Sequence, residues 1–134
     1  MFPTIKFISN LPSLSETFSD CQAGNVRWVM SRSLEHQVLT RAIRYMEKGW
    51  TTRTLARDKD GQHCWTWQVE AVQFCALGAL YRAAHDLTKK DWASVAEMVA
   101  ANLAGDHLKL SKMGDASSKE AMVSLFQERL KMIA

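Results

Sequence analysis

Residues 64–84, CWTWQVEAVQFCALGALYRAA, constrain this chain most. Two tryptophans and a cysteine crowd its first four positions, and Glu70 and Arg82 are its only formal charges. A helix with so few polar positions has little to present to water, so it predicts a buried centre around which other elements pack. That helix is expected over about residues 68–85. Val72, Cys75, Ala76, Ala79, Leu80 and Ala83 would form one face, and Phe74, Leu77, Gly78 and Tyr81 much of another. Gly78 costs such a helix about 0.8–1.0 kcal/mol against alanine. A glycine at that position predicts the close approach of another backbone.

The elements on either side follow from spacing and caps. Leu34, Val38, Leu39, Ala42, Ile43 and Met46 repeat at helical intervals after Ser33, a good N-cap. Gly49 stands where a left-handed residue would end that helix, with Trp50 folding back on its last turn. Thr51, Thr52, Thr54 and Leu55 favour extended backbone, and Asp58-Lys59-Asp60-Gly61 is a turn signal, so a β-hairpin is expected over about 51–67. Thr88 and Asp91 resemble a capping box before Trp92, Val95, Ala96, Val99 and Leu103, and Gly105 stops that helix. Asp106–Gly114 reads as a loop, and a last helix begins near Asp115–Ser118. Near the amino end, Thr4–Ser9 reads as a short strand and Ser13–Cys21 as a short helix. Gly24-Asn25 reads as a turn and Val26–Met30 as a second short apolar run.

A chain of 134 residues is of single-domain size, with residues 1–32 expected to be peripheral. The fold class is therefore α+β and mostly helical: four to five helices around the central helix, with one small hairpin. Five tryptophans are many for this length; some are expected in the core, and an exposed one would mark a contact surface. Three cysteines, an odd number with no secretory signal before them, point to a reduced, cytoplasmic protein. No apolar run reaches the roughly 18 residues of a membrane span.

Trp50, Ala56, Asp58, Gly61, Cys75, Gly78, Ala79 and Leu80 carry a resemblance. A tryptophan, an Ala-x-Asp-x-x-Gly turn and Cys-x-x-Gly-Ala-Leu on a helix resemble a family of short uncharacterised bacterial and phage proteins. The resemblance implies a small, mostly helical fold and no activity. A phage or mobile-element origin, implied only by it, would suit an inhibitor or adaptor.

Chemical signatures are lacking. His63, Cys64, Cys75 and His85 have none of the short paired spacings of zinc sites. Cys75 and His85 would be about 15 Å apart along a helix. His63 and Cys64, as strand neighbours, would point to opposite faces, and Asp58 and Asp60 have turn work to do. Neither a catalytic residue, a metal ligand nor a cofactor site is therefore assigned. Charge offers more. From Arg27 to Arg57 there are seven basic residues, Arg27, Arg32, Arg41, Arg44, Lys48, Arg53 and Arg57, against only Glu35 and Glu47 before Arg57. Such a patch attracts nucleic acid or an acidic protein face. The expected function is a non-enzymatic interaction protein that contacts a protein partner through Arg41, Arg44, Tyr45, Lys48 and Arg53. Nucleic-acid binding through the basic 27–57 segment is the alternative.

Overall fold

The computed structural model describes residues 30–134, together with the backbone of Cys21–Gln22 and Asn25–Val26. The strand expected at Thr4–Ser9 lies outside the described residues, as does the helix at Ser13–Cys21 apart from Cys21 itself. Arg27 and the middle of the Val26–Met30 run lie outside them too. The chain divides into two compact units, Met1–His36 and Gln37–Ala134. In the first, β1 (Cys21–Gln22) pairs antiparallel with β2 (Asn25–Val26), with Gln22 opposite Asn25. Helix α1 spans Arg32–Lys48. Its cap is Ser31 rather than Ser33, because the Ser31 hydroxyl accepts the Leu34 N–H at 3.0 Å and satisfies a donor that the first turn leaves free.

The second unit is helical around one buried element. Val38, Leu39, Ala42, Ile43 and Met46 of α1 are all buried, as the 3.6-residue spacing requires. Gly49 ends the helix, but it is not among the residues with positive φ. Its constraint is space: a Cβ there would lie 2.1 Å from the Val72 carbonyl oxygen. The chain then pairs with itself. Gly49 O accepts from Phe74 N at 2.9 Å and Thr51 N donates to Phe74 O at 3.2 Å, so Trp50 is extended beside Phe74 instead of folded back on α1.

The expected turn is present at Asp58–Gly61. The Asp58 carboxylate accepts the N–H groups of Asp60 and Gln62, and Gly61 takes a φ of +80°. An antiparallel bridge joins Arg57 to His63 across it. The longer pairing goes elsewhere: β3 (Ala56–Arg57) pairs antiparallel with β4 (Gln73–Phe74), with Ala56 opposite Phe74. This claims residues the helical pattern had assigned to the central helix. That helix, α2, therefore spans Ala76–Thr88 and not 68–85, and Val72, expected in its core face, is exposed.

Helix α2 is the buried centre. Ala76, Leu77, Gly78, Ala79, Leu80, Ala83 and Ala84 are all buried, and the helix packs on α3 (Trp92–Ala104) and α4 (His107–Asp115). The close backbone approach expected at Gly78 is there: a Cβ would stand 1.9 Å from the Leu55 carbonyl oxygen. The same oxygen accepts from Cys75 N at 3.3 Å. Thr88 is the last residue of α2 and donates its hydroxyl to Ala84 O, so Asp91 takes the N-cap position of α3 without a side-chain bond. Gly105, at φ +102°, stops α3 as expected. Asp106–Gly114 is not a loop. Asp106 caps α4 by accepting Lys109 N at 2.8 Å. Helix α5 (Lys119–Ile133) is capped by Ser118 and buries Met122, Val123 and Phe126.

Candidate functional site

Two concave surface features stand out, and Arg82 bonds to groups beside both. Arg82 rises from α2, and one of its terminal nitrogens donates to both Thr66 O and Gln68 O at 3.0 Å. The turn there is further closed by Trp65 N bonding the Gln68 side chain and by Gln68 N bonding Trp65 O. Within this turn Thr66 is buried, 4% exposed, while the tryptophans on either side of it are exposed. Trp65 is 66% exposed and Trp67 45%, their rings parallel within 5° at a centroid distance of 6.4 Å. Val69 and Val72 continue the exposed apolar surface. These two are exposed tryptophans of the kind expected to mark a contact surface.

Below that turn lies an open cleft of about 220 Å³, lined by Trp65, Trp67, Tyr81 and Trp92 with Leu55 and Cys64. Tyr81 meets Trp92 edge to face at 5.7 Å and donates its hydroxyl to Glu97 at 2.7 Å. Burial, and then that bond to a carboxylate, push the Tyr81 phenol well above its usual range. Burial likewise raises the Cys64 thiol, helped by the negative charges of Asp58 and Glu70. His63 bonds the Thr54 hydroxyl through Nδ1 at 2.9 Å. Cys64 is thus a protonated wall of the cleft at neutral pH, not an activated nucleophile.

The second site is basic. Arg41, Arg44, Tyr45 and Lys48, spaced along one side of α1, line a small pocket of about 110 Å³. Asp86 of α2 anchors its edge, taking the Tyr45 hydroxyl, Arg41 at 3.4 Å and Arg82 Nε at 3.4 Å. The Arg82 guanidinium also lies 5.2 Å over the Tyr45 ring. Burial, with the Asp86 bond adding to it, raises the Tyr45 phenol. Arg44 and Lys48 are exposed, and among the described residues neither has a side-chain partner. Arg53 does not line this pocket. It follows the helix at a φ of +68°, and its N–H is held by the Asp115 carboxylate at 2.8 Å. Arg57 is occupied by Thr51 Oγ1 and the carbonyls of Gly61 and Thr52.

Cys75 is the N-cap of α2, its sulfur accepting Gly78 N at 3.3 Å. A helix N-terminus lowers a thiol pKa, yet burial outweighs it here and the pKa is raised. No group of three or more His, Cys, Asp or Glu residues that could hold a metal occurs among the described residues. No described helix is long and apolar enough to cross a membrane.

Of the five residues singled out from the sequence, Arg41, Arg44, Tyr45 and Lys48 line one pocket and Arg53 does not. Sequence reasoning did not find the aromatic cleft. It also missed Arg82 and Asp86, whose partners are distant in sequence.

These features define a mostly helical α+β domain with an open aromatic cleft and a separate basic pocket. The chain belongs to the family of unknown function DUF6197, which matches residues 30–126 and so encloses every residue from Trp50 to Leu80 that carried the resemblance. No curated protein and no solved structure matches the chain.

Proposed function

We propose that this protein is a non-enzymatic interaction domain that binds a protein partner through the surface formed by Trp65, Trp67, Val69 and the cleft beside them. The observation that carries this reading is Trp65. Its ring is 66% exposed on a turn that Arg82 holds in place. An indole offers up to about 150–250 Å² of buriable surface and loses little side-chain freedom on binding. Tryptophans of that kind are typical interface anchors. A domain acting by surface contact alone serves as an inhibitor or adaptor, and needs none of the chemistry the thiols would have to supply.

The test is capture of partners by the full chain and by a Trp65→Ala, Trp67→Ala double variant, with Met132→Ala as a control for an exposed apolar residue elsewhere. A specific protein should be retained by wild type and the control and lost by the double variant. Equal retention by all three refutes the reading.

The convergence of Arg41, Arg44 and Lys48 on one pocket favours a second reading, nucleic-acid binding. There the affinity for duplex DNA should fall with salt, with a log–log slope of about −0.9 per phosphate contacted. Failure to shift labelled DNA or RNA at low salt removes it.

A further inference from the structure

The aromatic cleft carries a more specific statement about the partner, which rests on the reading above. Four aromatic rings, those of Trp65, Trp67, Tyr81 and Trp92, border a single open volume of about 220 Å³. The faces of such rings are electron-rich and attract a cation within about 6 Å of the ring centre. Tyr81 adds to this, since a phenol that donates its proton toward the Glu97 carboxylate holds more charge in its ring. Negative charge also stands close by. Glu97 accepts the Tyr81 hydroxyl, and Asp58 and Glu70 act on Cys64 in the cleft wall, where Arg82 opposes them.

Arg82 is turned to the Thr66 and Gln68 carbonyls and to Asp86. His85 meets the Trp92 ring in a T-shaped contact at 5.6 Å. The volume is ample: an apolar cavity of about 150 Å³ holds a benzene molecule, and a trimethylammonium group is of similar bulk.

We infer that this cleft is an aromatic cage that accepts a lysine side chain of the protein partner, most tightly in its trimethylated form. The Glu97 carboxylate at Tyr81 disfavours an anionic occupant. A neutral apolar side chain would gain from burial but nothing from the ring faces or from Glu97.

The inference is tested by titrating the full chain with doubly blocked trimethyl-lysine and with its uncharged carbon analogue, in which a tert-butyl group replaces the trimethylammonium. The indole N–H signals are followed by NMR. The charged ligand should shift the Trp65, Trp67 and Trp92 signals and bind about tenfold more tightly than the analogue, the effect of one to two ring faces. Trp65→Ala, at an exposed site that does not threaten folding, should lose most of that binding, and Glu97→Gln should narrow the tenfold preference. Equal binding of the two ligands, or no shift with either at millimolar concentration, overturns the cage. So does binding to phosphatidylcholine vesicles without binding to the blocked amino acid, which would assign the cleft to a lipid headgroup. If the cage fails while the Trp65→Ala, Trp67→Ala variant still loses its captured partner, the interaction reading stands and only the cation preference falls.

Discussion

Replacing Gly78 by alanine puts the packing argument at greatest risk. Alanine is the better helix former by about 0.8–1.0 kcal/mol, so an isolated helix would be strengthened. In this protein the added methyl carbon would lie 1.9 Å from the Leu55 carbonyl oxygen and 2.7 Å from its carbon. Both are main-chain atoms, with no flexible side chain to give way. Ordinary contact needs more than 3 Å, so the Leu55 segment would move by over 1 Å. Overpacking of this kind costs about 1–3 kcal/mol and occasionally more. The Cys75 N–H bond to the same oxygen would weaken with it, at about 0.5–1.5 kcal/mol. Offset by the helix gain, the net loss is about 0.5–4 kcal/mol. At about 4 °C per kcal/mol, between the values for smaller and larger domains, that is a fall in Tm of roughly 2–15 °C. Urea denaturation followed by circular dichroism measures it, and the molecule supplies its own control. At Gly114 of α4 a Cβ meets nothing closer than 3.7 Å, so Gly114→Ala should be neutral or stabilising by up to about 1 kcal/mol. A Gly78→Ala protein as stable as wild type, or two variants shifted in the same direction, would refute the reasoning.

Three further outcomes are expected. Cys75→Ala should cost about 1–2 kcal/mol in chemical denaturation, since it removes both the cap on Gly78 N and a buried side chain. Asp86→Asn should destabilise by about 1–3 kcal/mol, because Arg41, Arg82 and Tyr45 lose one shared acceptor charge; no change in Tm would show that the network contributes nothing. Alkaline pH should destabilise the fold. The folded state keeps the Cys75 proton to higher pH than the unfolded chain does, so that stability is complete below the ordinary thiol value of about 9 and is lost as pH rises beyond it. The raised phenols of Tyr45 and Tyr81 add to the loss above about 10. Urea midpoints measured across this range should decline, and Cys75→Ala should reduce the earlier part of the decline, leaving the share of the raised Cys64 thiol.

What the sequence disclosed depended on whether local pattern or distant pairing decided each element. The apolar face of α1 was legible because Val38, Leu39, Ala42, Ile43 and Met46 recur at one period and nothing competes for them. The reason for Gly78 was legible because a glycine inside a buried helix has few explanations. The start of α2 was not. Val69 and Val72 fit a helical face, but the β3–β4 pairing took the backbone that the helix would have used. Helix α4 was hidden because it buries little beyond Leu110 and Gly114, although Asp106 was a readable cap. The basic pocket could be found from one helix, whereas Arg53 was grouped with it by sequence proximity alone. Which tryptophans are exposed was not legible, because that depends on the turn that Arg82 holds through two carbonyls 16 and 14 residues earlier.

Gly49 and Gly78 both receive a carbonyl oxygen, from Val72 and Leu55, and Arg82 grips two more from Thr66 and Gln68. The segment between α1 and α2 is thus fastened largely through atoms that every amino acid possesses. Its outward side chains are relieved of structural duty. Trp65, Trp67 and Val69 can be exchanged for other residues while the scaffold persists, so this surface can change faster than the fold does. A library randomised at those three positions on a fixed Gly49, Gly78 and Arg82 background should consist mostly of folded proteins.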